Sequence, residues 1–121
     1  MDFIVKDSIK QFSNPGVVSR QLLNPLNAPD AKTTITEVHL TKGASQPRHI
    51  HKTSEQIWYA TKGRSRLLLA GGNEKDFAEG DVVRFAEGDV HGLQNDSAGE
   101  FVYISITTPP INFSYAYNNK N

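Results

Sequence analysis

The chain has 121 residues, 37% of them hydrophobic and 21% charged, which predicts one compact domain over 1–121 with its own core. Its 13 basic and 13 acidic residues cancel, so we expect no long-range attraction to nucleic acid or to an anionic membrane. The absence of cysteine excludes disulfides, thiolate metal ligands and a cysteine nucleophile. The first residues lack the basic and apolar stretches of a signal peptide, and no run reaches the roughly 20 apolar residues of a membrane span, so a cytoplasmic location is expected.

Short β-branched and aromatic runs, separated by turn-forming residues, predict an all-β chain with no long helix. The predicted strands cover, in chain order, 17–23, 33–41, 56–61, 64–69, 81–85 and 101–107. Residues 1–31 form an N-terminal arm in this interpretation, and the polar tail 115–121 is expected to be mobile. Several short strands with glycine-rich turns indicate a sandwich or a barrel.

The last predicted strand has two alternating faces, and either of them fits the interior. If Tyr103 and Ser105 point inward, Tyr103 is a candidate catalytic acid or base and Ser105 lines a substrate pocket. The opposite face, with Val102, Ile104 and Ile106, is better suited to packing. The pattern of residues leaves both arrangements open.

The spacing of the histidines is the strongest functional signal in the chain. His49 and His51 are two positions apart, so on an extended backbone both imidazoles project to the same side, where they can share one metal ion. Surface strands also carry such pairs by chance, so the pair alone is weak evidence for a metal site. The surrounding glycines and a third histidine, His91, strengthen the interpretation.

Two glycine-bounded motifs contain these histidines, one over 43–63 and one over 80–95. The first contains Gly43, His49, His51 and Gly63, and the second contains Gly80, Ala86, Gly88, His91 and Asn95. Together they resemble the two motifs of the cupin superfamily, with Ala86 where the family has proline. The resemblance implies a cupin-type double-stranded β-helix, which is a jelly-roll barrel, and one divalent transition metal held by the three histidines and a fourth ligand.

The position of the fourth ligand depends on which end of the first motif fixes the register. Counting back from Gly63 gives Gln56, whereas counting forward from His51 gives Glu55. A slip of one residue on a strand reverses the face that a side chain occupies. We favour Gln56, because the glycine that closes the strand constrains the register more than a turn does, and Glu55 then points outward.

Three imidazoles and one carboxamide leave the double charge of the ion intact, which favours Lewis-acid chemistry. The ligand types suit Zn, Ni, Mn or Fe, so the metal is not determined. Such a site is similar to those of cupins that open sugar uronates and of cupin polyketide cyclases. Trp58 is in phase with Gln56 and either lines the pocket or fills the barrel.

Three functions are compatible with these residues. The first is a metal-dependent isomerase, cyclase or lyase that acts on a small carbonyl or sugar-acid substrate. The second is an iron-dependent dioxygenase, and the third is a protein that binds a small ligand without chemistry. A homodimer is expected, because the segment 17–23 and part of the N-terminal arm offer spare strands that can cover the edge of a neighbour's sheet.

Overall fold

The computed structural model describes residues 1–120 and shows two antiparallel sheets. The strands are β1 (Lys10–Asn14), β2 (Val17–Leu23), β3 (Thr34–Leu40), β4 (Ser45–His49), β5 (Glu55–Lys62), β6 (Arg64–Leu69), β7 (Glu74–Ala78), β8 (Val82–Phe85), β9 (His91–Gln94) and β10 (Phe101–Thr108). Three short 3-10 turns, Lys6–Ser8, Ala70–Gly72 and Phe113–Ala116, accompany them. Within residues 1–120 no helix is long and apolar enough to cross a membrane.

The two sheets enclose a single core. One sheet has six strands in the order β1-β2-β3-β10-β5-β8, and the other has four in the order β4-β9-β6-β7. Buried side chains from both sheets meet in one cluster, with Leu40 and Phe101 from the larger sheet and Phe77 and Leu93 from the smaller one. The predicted all-β, cupin-type barrel is confirmed.

The inward face of the larger sheet changes from apolar to polar along its length. In β3 the buried residues run from Leu40 to Thr34, and in β10 they run from Phe101 to Thr107. The register pairs Phe101 with Leu40 and Thr107 with Thr34, so the polar ends coincide. Because hydroxyl side chains are small and apolar ones are large, one end of the barrel is filled and the other retains a cavity.

Four strands were not predicted from the sequence, namely β1, β4, β7 and β9. Three of them lie at sheet edges, where side chains are solvated and the apolar alternation of a half-buried strand is absent. The fourth, β9, has only four residues and includes Gly92. Tertiary pairing rather than local propensity therefore determines these strands.

Two glycines in or next to the motifs permit close backbone approaches. Gly63 has a φ of +84°, and a Cβ there would collide with the carbonyl oxygen of Glu100. A Cβ on Gly92 would lie 2.8 Å from the carbonyl oxygen of Gln46 in β4. Glycine at position 92 thus lets β9 approach β4, which places His91 opposite its partner in that strand.

The two ends of the chain meet beside β1. Asn14 donates a side-chain hydrogen bond to the carbonyl of Ala116 (2.9 Å) and accepts one from the backbone of Asn118 (2.8 Å). The mobility predicted for the tail stays a prediction, and Asn121 lies outside the described residues.

The segment predicted to be a spare strand is paired within its own chain. Strand β2 lies between β1 and β3 in the larger sheet. It is therefore not available for donation to a neighbour in this arrangement, and the edge strands of the sheet are β1 and β8. The homodimer itself stays a prediction.

Candidate metal centre

Three histidines converge at the polar end of the barrel. His49 at the end of β4 pairs in register with His91 at the start of β9, and His51 follows β4 in the chain. The ring centroids are 4.3 Å apart for His49 and His91, 5.0 Å for His49 and His51, and 5.1 Å for His51 and His91. One ring nitrogen from each lies within 4.8 Å of the others. The three side chains are thus positioned to hold one metal ion.

Backbone carbonyls fix the tautomers of two of these rings. The Nδ1 atom of His49 lies 2.9 Å from the carbonyl oxygen of Pro47, and that of His91 lies 2.9 Å from the carbonyl oxygen of Asp89. A carbonyl only accepts, so each Nδ1 carries the proton and donates. In the neutral ring Nε2 then presents a lone pair, which is the arrangement that a metal-binding histidine requires.

The buried nitrogens provide a test of whether a metal fits this site. The Nε2 atoms of His51 and His91 are buried and have no hydrogen-bond partner. Leaving a buried polar atom without a partner costs about 1–3 kcal/mol, so native structures rarely do so without a reason. A bound cation would satisfy both atoms, and the residues present therefore fit a metal ion.

Electrostatics keep these two rings neutral. Burial lowers the pKa of His51 to about 4, with a further lowering by the nearby His49. Burial also lowers the pKa of His91 to about 4, against the opposing effect of its hydrogen bond to the Asp89 carbonyl, while His49 and His51 lower it further. At neutral pH both rings consequently offer lone pairs rather than positive charges.

Gln56 and Glu55 lie on opposite sides of β5. Gln56 is buried and lines the same cavity as His49 and His51. Its Nε2 donates to the Thr107 hydroxyl (3.0 Å), and its Oε1 accepts from the indole of Trp58 (3.1 Å). An amide oxygen has a second lone pair, so this arrangement leaves one acceptor site on Oε1.

Glu55 is not among the residues that line the cavity. Its Oε1 instead accepts a hydrogen bond from Nη2 of Arg84 (3.1 Å) on the exterior of the sheet. The face assignment made from Gly63 thus agrees with the side-chain directions in β5, and the role of Gln56 as a ligand stays a prediction.

A cavity of about 380 Å³ opens beside the histidines. Trp58, Tyr103 and Ser105 all line it, so the structure selects the inward arrangement of β10 that the sequence left open. The Tyr103 hydroxyl donates to the Oε1 atom of Gln46 (2.6 Å), and burial raises its pKa well above the ordinary value. Tyr103 therefore keeps its proton at physiological pH, and its catalytic role stays a prediction.

The C-terminal aromatic residues form a wall of this cavity that the sequence analysis missed. Phe113, Tyr115 and Tyr117 all line it, and the Phe113 ring lies 5.9 Å from that of His51. Tyr117 also packs against Phe12, with ring centroids 6.0 Å apart. The available signal was three aromatic residues at alternate positions in an otherwise polar segment.

Two further polar residues, His39 and Asn95, lie outside the cavity. The fourth histidine, His39, faces outward and lies 2.8 Å from a carboxylate oxygen of Glu37. Asn95 donates to the carbonyls of Leu40, Thr41 and Gly99 at 2.9–3.2 Å and so stabilises its turn.

Comparison with known proteins agrees with this architecture. The chain is 28% identical over 106 residues to an uncharacterized protein of Methanocaldococcus jannaschii, covering 86% of this chain and 83% of that one. Among solved structures, KdgF from Halomonas sp. superposes with a TM-score of 0.76 at 20% identity, over 93% of this chain and 96% of KdgF. The polyketide cyclase RemF from Streptomyces resistomycificus gives a TM-score of 0.75 at 18% identity, over 89% of this chain and 79% of RemF.

At these identities the two solved structures support the fold and do not identify the reaction. The family model of the cupin domain matches residues 36–107, which include most of β3, all three clustered histidines and most of β10. With both motifs in place and the barrel closed around them, this chain belongs to the cupin family.

Proposed function

We propose that the protein is a metal-dependent enzyme that acts as an isomerase, cyclase or lyase on a small carbonyl compound. The observation that carries the proposal is the pair of buried, unpartnered Nε2 atoms of His51 and His91, next to a ligand-sized cavity that His49 and His51 line. Structural metal sites are closed by protein ligands, whereas catalytic sites keep positions open to a substrate. A cavity beside the ligands supports a catalytic metal site.

The proposed ligands are His49, His51, His91 and Gln56, all of them neutral side chains. When bound, an ion in this shell supplies a Lewis acid that polarises a carbonyl or enolate oxygen. Zn, Ni, Mn and Fe are all compatible with imidazole and amide ligands.

The remaining residues would bind and orient the substrate. Tyr103 holds its proton at Oη and is the proposed acid. It donates that proton to Gln46 in the structure, so transfer to a substrate requires this hydrogen bond to break. Trp58 lies with its ring centroid 4.5 Å from that of Tyr103, so the two rings form one continuous aromatic wall. Ser105 adds a hydroxyl to the same face of β10. A polyketide cyclase shares this fold, so the fold is compatible with the cyclase class and does not select it.

The proposal is tested by loading the purified, metal-stripped protein with zinc, nickel, manganese or iron and screening small carbonyl compounds for turnover. We expect conversion that requires one of these metals and proceeds fully under nitrogen. Conversion that requires both iron and oxygen would instead establish a dioxygenase. A ligand that binds tightly and is always recovered unchanged would establish a binding protein.

Introducing a negative charge at position 56 distinguishes the two candidates for the fourth ligand. Gln56→Glu is expected to raise the metal affinity by about tenfold or more, because a carboxylate adds a negative charge to the shell. The same change removes the donor to Thr107 and is expected to destabilise the metal-free protein by about 1–3 kcal/mol. Competition titration with a chromogenic chelator measures the first effect, and urea unfolding measures the second.

The neighbouring swap is the matched control. Glu55→Gln removes one carboxylate from an exposed pair with Arg84, a contact worth at most about 1 kcal/mol, and should leave metal affinity unchanged. A weaker affinity in Glu55→Gln together with no change in Gln56→Glu would show that the fourth ligand is assigned to the wrong residue.

A further inference from the structure

Among the described residues, the only ionisable side chains of the usual charged types that line the cavity are histidines. Its polar groups are hydroxyls and amides, and no lysine, arginine, aspartate or glutamate lines it. Three of the five arginines form ion pairs away from the cavity, where Arg20 pairs with Glu37 (3.0 Å), Arg84 with Glu55 (3.1 Å) and Arg66 with Asp96 (3.0 Å). The fold thus separates its ion pairs from the cavity.

This distribution of charge limits what can enter. A carboxylate or phosphate placed away from the histidines would lose water and gain no counter-ion, which is costly. A cationic group would meet the same difficulty, because the wall offers no carboxylate. Hydroxyls such as those of Thr36 and Ser105 can hydrogen-bond neutral oxygens without that cost.

The chemistry of the walls favours a flat apolar body. Trp58 and Tyr103, with ring centroids 4.5 Å apart, line the cavity together with Phe113, Tyr115 and Tyr117 of the C-terminal segment. Aromatic rings of this kind stack on planar, conjugated ligands. The volume of about 380 Å³ lies near the small end of ligand sites, which span about 300–1,000 Å³.

We propose that the substrate is an aromatic or conjugated carbonyl compound with an uncharged body, and that the oxygen which reaches the three histidines is its only group with ionic character. This proposal rests on the proposed function and narrows its substrate class. A substrate with a carboxylate or phosphate remote from the histidines is excluded by it.

The test compares three ligands that share one core and differ in a single remote substituent, which is neutral, anionic or cationic. They share a 2′-hydroxyacetophenone core and carry, at the 5′ position, a methyl ester, a carboxylate or an aminomethyl group. Trp58 is the only tryptophan of the chain, so its fluorescence reports on the cavity, and calorimetry gives an independent binding constant. We expect the ester to bind at least about tenfold more tightly than either charged ligand to the zinc-loaded protein.

Equal or tighter binding of a charged ligand would overturn the proposal, and so would the absence of binding by all three. The preference arises from the wall, so the metal-free protein should show the same order of affinities. Failure of metal binding or turnover would overturn the proposed function, whereas a neutral preference that survives without metal would leave this inference standing.

The second part of the test introduces a positively charged side chain at the cavity. Ser45 lines the cavity and is exposed, so Ser45→Lys is compatible with the fold. We expect it to improve binding of the carboxylate ligand relative to the ester by about threefold or more. Ala98→Lys adds the same charge at an exposed position outside the cavity and should leave that ratio unchanged. An unchanged ratio in Ser45→Lys would show that the wall does not sense ligand charge and would overturn the proposal.

Discussion

Replacing His91 with asparagine is expected to lower the affinity for a divalent metal by at least about 100-fold. Removing a residue that only orients a metal ligand typically costs about 10–100-fold, so loss of a ligand should cost at least the upper value. His91 is 1% exposed, its Nδ1 is held by the Asp89 carbonyl, and its Nε2 has no partner within the protein. Asparagine is too short to bring an amide to the same point.

The experiment measures zinc and nickel affinity by chelator competition and metal content by elemental analysis. The expected result is about one equivalent of metal in the original protein and close to none in His91→Asn after the same dialysis. Saturating zinc should also raise the unfolding temperature of the original protein and have little effect on the variant, because an ion that binds only the folded state stabilises it.

His39 provides the matched control, since it is the one histidine outside the cluster. His39→Asn removes an imidazole from the outer face of β3, where the side chain contacts Glu37 and Glu100 at the surface. Metal affinity should remain unchanged in this variant. Equal losses in His39→Asn and His91→Asn, or none in either, would contradict a site built from the three clustered histidines.

Much of this centre could be predicted from local sequence because its residues lie in short, glycine-bounded segments. The two-residue spacing of His49 and His51 predicted that their rings would share a side, and the rings do meet. The glycine at position 63 has a positive φ and lies against the backbone of Glu100, so it constrains the end of β5. That constraint is the physical reason why counting back from Gly63 gave the inward residue, Gln56.

The rest of the cavity depends on contacts between distant parts of the chain. The aromatic wall of Phe113 and Tyr117 is held by the hydrogen bonds of Asn14, more than one hundred positions away. The alternating aromatic residues of this segment were its one local signal, and its polar residues made it resemble a free end. Which face of β10 points inward was equally undetermined from the sequence. Both faces are apolar enough to pack, and only pairing with β3 and β5 decides between them.

The metal-free protein is expected to lose about 2–4 kcal/mol of unfolding free energy as the pH falls from about 7 to about 5. The pKa values of His51 and His91 are about 4 in the folded state, below the ordinary value of 6.5, chiefly because the rings are buried. At a pH between about 4 and 6.5, the unfolded chain binds more protons at these two residues than the folded one. The stabilisation is therefore complete above pH 6.5 and is lost as the pH falls towards 4.

The two shifts together set an upper limit of about 7 kcal/mol for the whole pH window, and partial hydration through the open cavity reduces that value. Carboxylates change their protonation state at lower pH. The hydrogen bond from Lys62, for example, lowers the pKa of Glu100 below its ordinary 4.5, so its contribution is lost only under more acidic conditions. The interval between pH 7 and 5 thus isolates the histidines.

Urea unfolding in the presence of a chelator measures this pH dependence, and two variants assign it. In the double variant His51→Asn/His91→Asn, the free energy of unfolding should fall much less between about pH 7 and about pH 5 than in the original protein. In His39→Asn it should fall as much as in the original protein. An original protein that is equally stable at both pH values would show that the two rings are solvated. In that case burial would not be what keeps their Nε2 atoms free of protons, and the main electrostatic argument for a metal at this position would fail.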